Sequence, residues 1–206
     1  MKDDSSSPIN TEVTGPIAIL RFSRPAERNP LSVTTLEYLE CETQSLFARE
    51  DIRAVIFTGA ENVFAAGANI RELAKLDRET SLKFSRLGQQ LFQSIATASQ
   101  LTIAAINGYC IGGGLDLALA CDIRVASKDA VFSHPGARLG IITGWGGTQR
   151  MPRLIGRQRA IELFVTGRKL SSEMALTIGL VTRVEDPILP CAVNIAQAYA
   201  EGLPAL

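Results

Sequence analysis

Apolar positions along the chain change their period from segment to segment, and those changes mark the elements. Ile17-Ala18-Ile19-Leu20-Arg21-Phe22, entered through the Gly15-Pro16 turn, is predicted to be a strand. The spacing across residues 33–47 predicts a helix. Ala54-Val55-Ile56-Phe57-Thr58, closed by Gly59, is a second strand, and after it Phe84, Leu87, Leu91 and Ile95 share one face of a long helix, a stripe assigned to the core. Leu101-Thr102-Ile103-Ala104-Ala105-Ile106 is apolar enough for a strand covered on both faces, and Asn107-Gly108 breaks it.

Beyond that break, residues 115–121 are predicted helical, 123–126 a strand, and 161–165 the core of a helix ending near Gly167. A helix over 172–178 stops at Gly179, 180–184 is the last strand candidate, and a helical segment starts near Pro190. Strand and helix alternate, which argues for an α/β fold of parallel strands joined by helical crossovers.

Composition narrows the choices. A chain of 206 residues, 46% hydrophobic, can bury one substantial core without metal or disulfide support. The expected division is a flexible lead over 1–10, a core domain over 11–187 and the start of a C-terminal helical region over 188–206. The opening Met-Lys-Asp-Asp-Ser-Ser-Ser-Pro has neither the apolar stretch of a secretory signal nor the Arg-rich character of a transit peptide. Lys+Arg and Asp+Glu both total 21, so no global field would attract nucleic acid or an anionic membrane, and an anionic ligand must be held locally. Cys41, Cys110, Cys121 and Cys191 form no C-x-x-C pair and are expected as reduced thiols in a cytoplasmic protein. Every apolar run is interrupted before it could span a bilayer, so a soluble protein is expected.

Chemistry concentrates in two small-residue segments. Asn107-Gly108-Tyr109-Cys110-Ile111-Gly112-Gly113-Gly114-Leu115-Asp116 sets three glycines between a buried strand and a helix. A helix N-terminus has unpaired N–H groups and the positive end of the macrodipole, so the Gly113 N–H could meet a developing oxyanion; a tight packing turn is the other reading. The third glycine of a dinucleotide fingerprint is missing, and no Gly-Lys-Ser/Thr follows to make a P-loop. The second segment, Asn62-Val63-Phe64-Ala65-Ala66-Gly67-Ala68-Asn69-Ile70-Arg71-Glu72-Leu73, offers another approachable backbone after a short apolar strand.

The order and spacing of these two segments resemble the crotonase (enoyl-CoA hydratase/isomerase) superfamily. The resemblance also takes in Arg24-Pro25, Asn29-x-Leu31, Ala120-Cys121-Asp122-Ile123-Arg124 and Gly146-Gly147-Thr148-Gln149-Arg150-x-Pro152-Arg153-x-x-Gly156, and covers residues 17–184. It implies a spiral of ββα units with its C-terminal helical part shortened or missing, and assembly as a homotrimer or hexamer. It also implies an acyl-CoA substrate with no prosthetic group, coenzyme A entering as part of that substrate. The thioester oxygen would be held by the N–H groups of Ala66 and Gly113, and the coenzyme A arm by Arg28 and the backbone of Ala66, Ala68, Asn69 and Ile70.

The chain departs from the hydratase pattern where the acid/base work is done. Of the two glutamates that pattern carries, the first position is Asp116 and the second is Gly136. Asp116 is one methylene shorter, a difference that costs rate unless geometry compensates. His134, the one histidine of the chain, lies two positions before Gly136 and is a candidate proton carrier, imidazole being the side chain that titrates near neutrality. Trp145 is expected as a wall of the acyl cavity. The expected activity is hydration or isomerisation of an enoyl-CoA, with Asp116 as the main acid/base group. The alternatives are another reaction of the same type, thioester hydrolysis or decarboxylation using His134, and a catalytically weak acyl-CoA-binding protein.

Overall fold

A computed structural model describes residues 7–202. In chain order the elements are β1 (Ile9–Thr14), β2 (Ile17–Phe22), β3 (Pro30–Leu31), α1 (Val33–Phe47), β4 (Ala54–Thr58), β5 (Val63–Ala65), β6 (Gly67–Ala68), α2 (Ile70–Leu73), α3 (Arg78–Ala96) and β7 (Leu101–Ile106). They continue with β8 (Tyr109–Ile111), α4 (Gly113–Ala120), β9 (Ile123–Ala126), β10 (Val131–Ser133), α5 (Gly147–Ile155), α6 (Arg157–Thr166), β11 (Leu170–Ser171), α7 (Ser172–Thr177), β12 (Arg183–Val184) and α8 (Ile188–Ala200).

The larger sheet has the order β1-β2-β4-β7-β9-β12, the smaller β11-β10-β8-β5, and β3 pairs with β6. Both sheets are parallel within, with one antiparallel strand at an edge of each, β1 on β2 and β11 on β10. Each of β4, β7 and β9 lies in the larger sheet, the next strand lies in the smaller one, and helix follows, so the chain winds as a spiral of ββα units.

The strand patterns explain this layering. In β4, Val55 and Phe57 face one core while Ala54 and Ile56 face another; in β7, Ala104 and Ile106 divide from Ile103 and Ala105 in the same way. One core lies between the sheets and α1, α3 and α4; the other is closed by Ile188, Cys191, Ala192 and Ile195 of α8. The helices start where the sequence supplies caps: the Ser32 side chain accepts from Thr35 N ahead of α1, and Asp77 and Thr80 form a reciprocal capping box ahead of α3.

Some expectations need correction. The lead expected over 1–10 gives way to β1 at Ile9, whose side chain is 2% exposed because it completes the core beside β2; the start of that lead lies outside the described residues. The last strand is shorter than 180–184, because Leu180 and Val181 turn back to the α7 carbonyl of Ala175; Arg183 and Val184 pair with β9, flanked by Thr182 N and Glu185 N donating to Arg124 C=O and Ala126 C=O at 2.9 and 3.0 Å. Of the smaller sheet, periodicity marks only the short apolar strand ahead of Ala66, which is β5; β8, β10 and β11 are two or three residues long and show no period.

Arg124 ties α4 to the far end of the domain. Buried at 6% exposure, it donates through Nε to Leu180 C=O at 2.9 Å and through Nη1 to Cys121 C=O at 2.7 Å, where the last carbonyls of α4 lack helical partners. Burial lowers its pKa, opposed by the nearby Cys121 and Asp122. Arg124→Met is expected to destabilise the fold by about 3 kcal/mol, by stranding carbonyls in a dry interior, and Arg124→Lys to recover little, since the ammonium lacks the fork geometry. Urea denaturation of the three proteins measures both.

Candidate active site

The site is assembled where the chain after β5 meets the start of α4. Two asparagines hold the first segment: the Asn29 amide, 2% exposed, donates to Val63 C=O and Phe64 C=O at 2.9 and 3.1 Å, and the Asn107 amide donates to Glu61 C=O at 2.9 Å. Asn107 also accepts from Gly59 N at 2.9 Å, which fixes the corner between β4 and β5. The second segment turns at Gly112, at φ 55 and ψ −121, a conformation that only glycine adopts without strain, and Gly112 N donates to Ser133 C=O at 2.9 Å.

The two backbones then come closer than side chains would allow. A Cβ on Gly67 would stand 2.8 Å from Gly113 N, and one on Gly114 would stand 2.1 Å from Ala65 O. Gly113 is the first residue of α4, so its N–H has no partner within the helix, and no side chain caps that end. The register of β6 decides which N–H of the facing segment is open. Pro30 has no N–H to give, so the pair Pro30↔Gly67 runs through the N–H and C=O of Gly67, and Leu31↔Ala68 runs through those of Leu31. The Ala68 N–H takes no part in that ladder, whereas the Ala66 N–H donates to Arg28 C=O at 3.0 Å. The donor expected at Ala66 is therefore engaged inside the chain, and the open one lies two residues on.

These amides line a cavity of about 280 Å³ together with Asp116, His134 and Trp145. That volume is at the small end for ligand sites, enough to enclose a short chain but not a nucleotide. The mouth is apolar, with Ile70, Leu139 and Ile142 between 51% and 67% exposed. Trp145, itself 5% exposed, is wedged between Phe84 and Phe92 with ring centroids at 5.0 and 5.6 Å, and Arg150 holds its backbone by donating to Trp145 C=O at 3.1 Å. Burial lowers the Arg150 pKa, and the negative charge of Asp116 works against that shift.

Asp116, in the first turn of α4, is 1% exposed and paired with His134 Nε2 at 3.0 Å. Its other oxygen accepts from the Thr143 hydroxyl. Thr143 was not singled out from sequence; a threonine two residues before a tryptophan has no distinguishing signal there. Gly136 also lines the cavity, but a Cβ on it would meet Ile141 O at 2.7 Å, so a side chain there requires the 139–142 loop to move. Among the residues expected to hold a coenzyme, Asn69 caps α2 by accepting from Arg71 N at 3.0 Å, Ile70 is 58% exposed at the cavity mouth, and the Arg28 side chain is exposed outside the cavity. Cys110 and Cys121 are buried thiols whose pKa burial pushes up, Cys121 to about 12, so neither is a ready nucleophile.

Comparison with known proteins gives this site a context. A family model described as enoyl-CoA hydratase/isomerase matches residues 12–205. The chain is 37% identical over 196 residues to the short-chain-enoyl-CoA hydratase of Clostridium acetobutylicum, covering 94% of this chain and 75% of the relative. It is 37% identical over 183 residues to the crotonyl-CoA hydratase of Syntrophomonas wolfei, covering 87% and 70%. The crystal structure of an enoyl-CoA hydratase from Bacillus anthracis superimposes with a TM-score of 0.90 at 36% identity, over 94% of this chain and 76% of that one.

Gly67→Ala tests the close approach. The added methyl both crowds Gly113 N and sits on a residue at φ +87, so a loss of about 2 kcal/mol is expected in chemical denaturation. An unchanged midpoint would mean that the two segments are not held together as described.

Proposed function

We propose that this chain, which belongs to the enoyl-CoA hydratase/isomerase family, binds an acyl-CoA and polarises its thioester between the N–H groups of Ala68 and Gly113, so that an enolate can form in hydration or isomerisation of an enoyl-CoA. The observation that carries this reading is the pairing of an uncapped first helical N–H at Gly113 with a facing segment whose Ala68 N–H lies outside its strand ladder. When the α-carbon loses a proton, or the β-carbon gains a nucleophile, negative charge gathers on the thioester oxygen. Two preset donors stabilise that charge without having to reorganise. Ala68 thus replaces Ala66 as the partner of Gly113. Asp116 and His134 are the titratable side chains that line the cavity, and the proton chemistry belongs to this hydrogen-bonded pair.

The coenzyme A arm leaves the cavity past Ala66 and Ile70 and runs by Asn69 toward the exposed Arg28, whose charge meets phosphate. With equal numbers of acidic and basic residues in the chain, such a local cation is what would draw the anionic nucleotide in. The reading includes cytoplasmic location and assembly into a homotrimer or hexamer. Among the described residues no helix is long and apolar enough to cross a membrane.

Removing one N–H tests the oxyanion pair. Proline is tolerated at the first position of a helix, so Gly113→Pro deletes the donor, while Gly113→Ala is the control, because both put a Cβ against the Trp145 ring and only the first lacks the N–H. Relative to the alanine variant, the proline variant is expected to lose about 10²- to 10³-fold in kcat on crotonyl-CoA or another enoyl-CoA substrate. Equal rates would remove Gly113 from the chemistry. Arg28→Glu is expected to weaken acyl-CoA binding about fivefold, an effect that fades with added salt and leaves kcat in place; titration calorimetry at two ionic strengths reads it.

A further inference from the structure

The proton chemistry of the cavity comes down to a single atom. Among the described residues lining it, only Asp116 and His134 titrate, and the geometry gives them unequal positions. Asp116 lines the cavity at 1% exposure, with both of its oxygens engaged. One oxygen is bound by His134 Nε2 at 3.0 Å and packed against the backbone of Gly147, where a Cβ would fall 2.1 Å away; the other accepts from Thr143. A carboxylate can only accept, so opposite an ionised Asp116 the donor is Nε2–H, and in the neutral imidazole the lone pair is then on Nδ1. Among the described residues no hydrogen bond to Nδ1 is made, and the ring is held edge-on against Phe164 at 5.1 Å. The neighbouring cations do not contact the ring: Arg150 acts on Asp116 through space, and the exposed Arg138 donates to Thr166 C=O.

Resting on the acyl-CoA reading above, we infer that His134 Nδ1 is the one proton carrier of this site, with Asp116 and Thr143 as its positioning residues, and that the preferred reaction is the allylic shift of a β,γ-enoyl thioester rather than the addition of water. Hydration asks for a water held and deprotonated at the β-carbon while the α-carbon is protonated. Here the position that would supply a second carboxylate is Gly136, its side-chain space filled by Ile141 O; Phe84, Ile141, Ile142 and Trp145 are apolar wall, and the lining hydroxyls of Ser81, Ser85 and Thr143 supply no second general base. The allylic shift needs no water. His134 Nδ1 takes the α-proton; the C–H electron pair spreads over the α-, β- and γ-carbons and the thioester oxygen, held by Ala68 and Gly113. The imidazolium then returns the proton to the γ-carbon, the double bond moves from β,γ to α,β, and neutral imidazole is restored. No oxidant, reductant or co-reactant enters.

The experiment compares trans-3-hexenoyl-CoA isomerisation with crotonyl-CoA hydration by the same protein, using α-deuterated hexenoyl-CoA to follow the label by NMR. Isomerisation faster than hydration is expected, with part of the deuterium recovered at the γ-carbon. His134→Gln is expected to lower isomerisation by about 10²-fold or more while still binding acetoacetyl-CoA, which also reports that the pocket is folded. Thr143→Val is expected to lower kcat and displace the acid limb of the pH profile, and Thr143→Ser to restore both, a pattern that a packing defect would not give. Hydration as fast as isomerisation, or undiminished isomerisation by His134→Gln, overturns the inference but leaves the acyl-CoA reading standing. A folded wild type that neither binds acetoacetyl-CoA nor turns over either substrate overturns both.

Discussion

Everything in this molecule depends on two stretches of backbone lying closer together than side chains permit. Gly67, Gly113 and Gly114 have no Cβ because Gly113 N, the Trp145 ring and Ala65 O occupy the space one would take. Bare backbone on both sides lets Ala68 and Gly113 line the same small cavity, and burial behind Trp145 and Phe84 strengthens what backbone dipoles do to any charge placed there. The larger scaffold serves this contact. Asn29 and Asn107 hold one segment from below, and α4 is fixed at its far end by Arg124, so neither can drift away from the other.

The carboxylate chemistry shows how local packing redistributes a role. Asp116 has a short side chain, and its two oxygens are held by His134 and Thr143. A buried carboxylate needs such partners to remain charged, and here one of them is an imidazole with a second nitrogen to offer. At Gly136 the 139–142 loop occupies the space that a side chain would need, Ile141 O standing 2.7 Å from where a Cβ would be.

Much of the fold was legible in the residue pattern because period and burial are local properties. The helix over 33–47 and the strands at 17–22, 54–58, 101–106 and 123–126 have the bounds expected from periodicity and turn residues. The short strands of the second sheet carry two or three residues each, too few for a period to register. Of the candidate site, the residues picked out from the sequence, Ala66, Gly113, Asp116 and His134, line one cavity, but the register of the first segment was not legible. Ala66 and Ala68 flank the same glycine and differ only in which side of β6 their N–H faces, and that is settled by a partner far away in sequence, Pro30, whose missing N–H sets the ladder. Thr143 reaches Asp116 across 27 residues, a contact that no local pattern announces.

The most direct measurement of the central claim is the carbonyl stretching frequency of an acyl-CoA bound to the protein, taken by isotope-edited infrared difference spectroscopy with the thioester carbon labelled. Two convergent donors in a dry site should pull electron density onto the oxygen and move the band below its position in water, and Gly113→Pro should return part of that displacement. A bound thioester with the same frequency as in solution would contradict the account, since the amides would then not be acting on the oxygen at all.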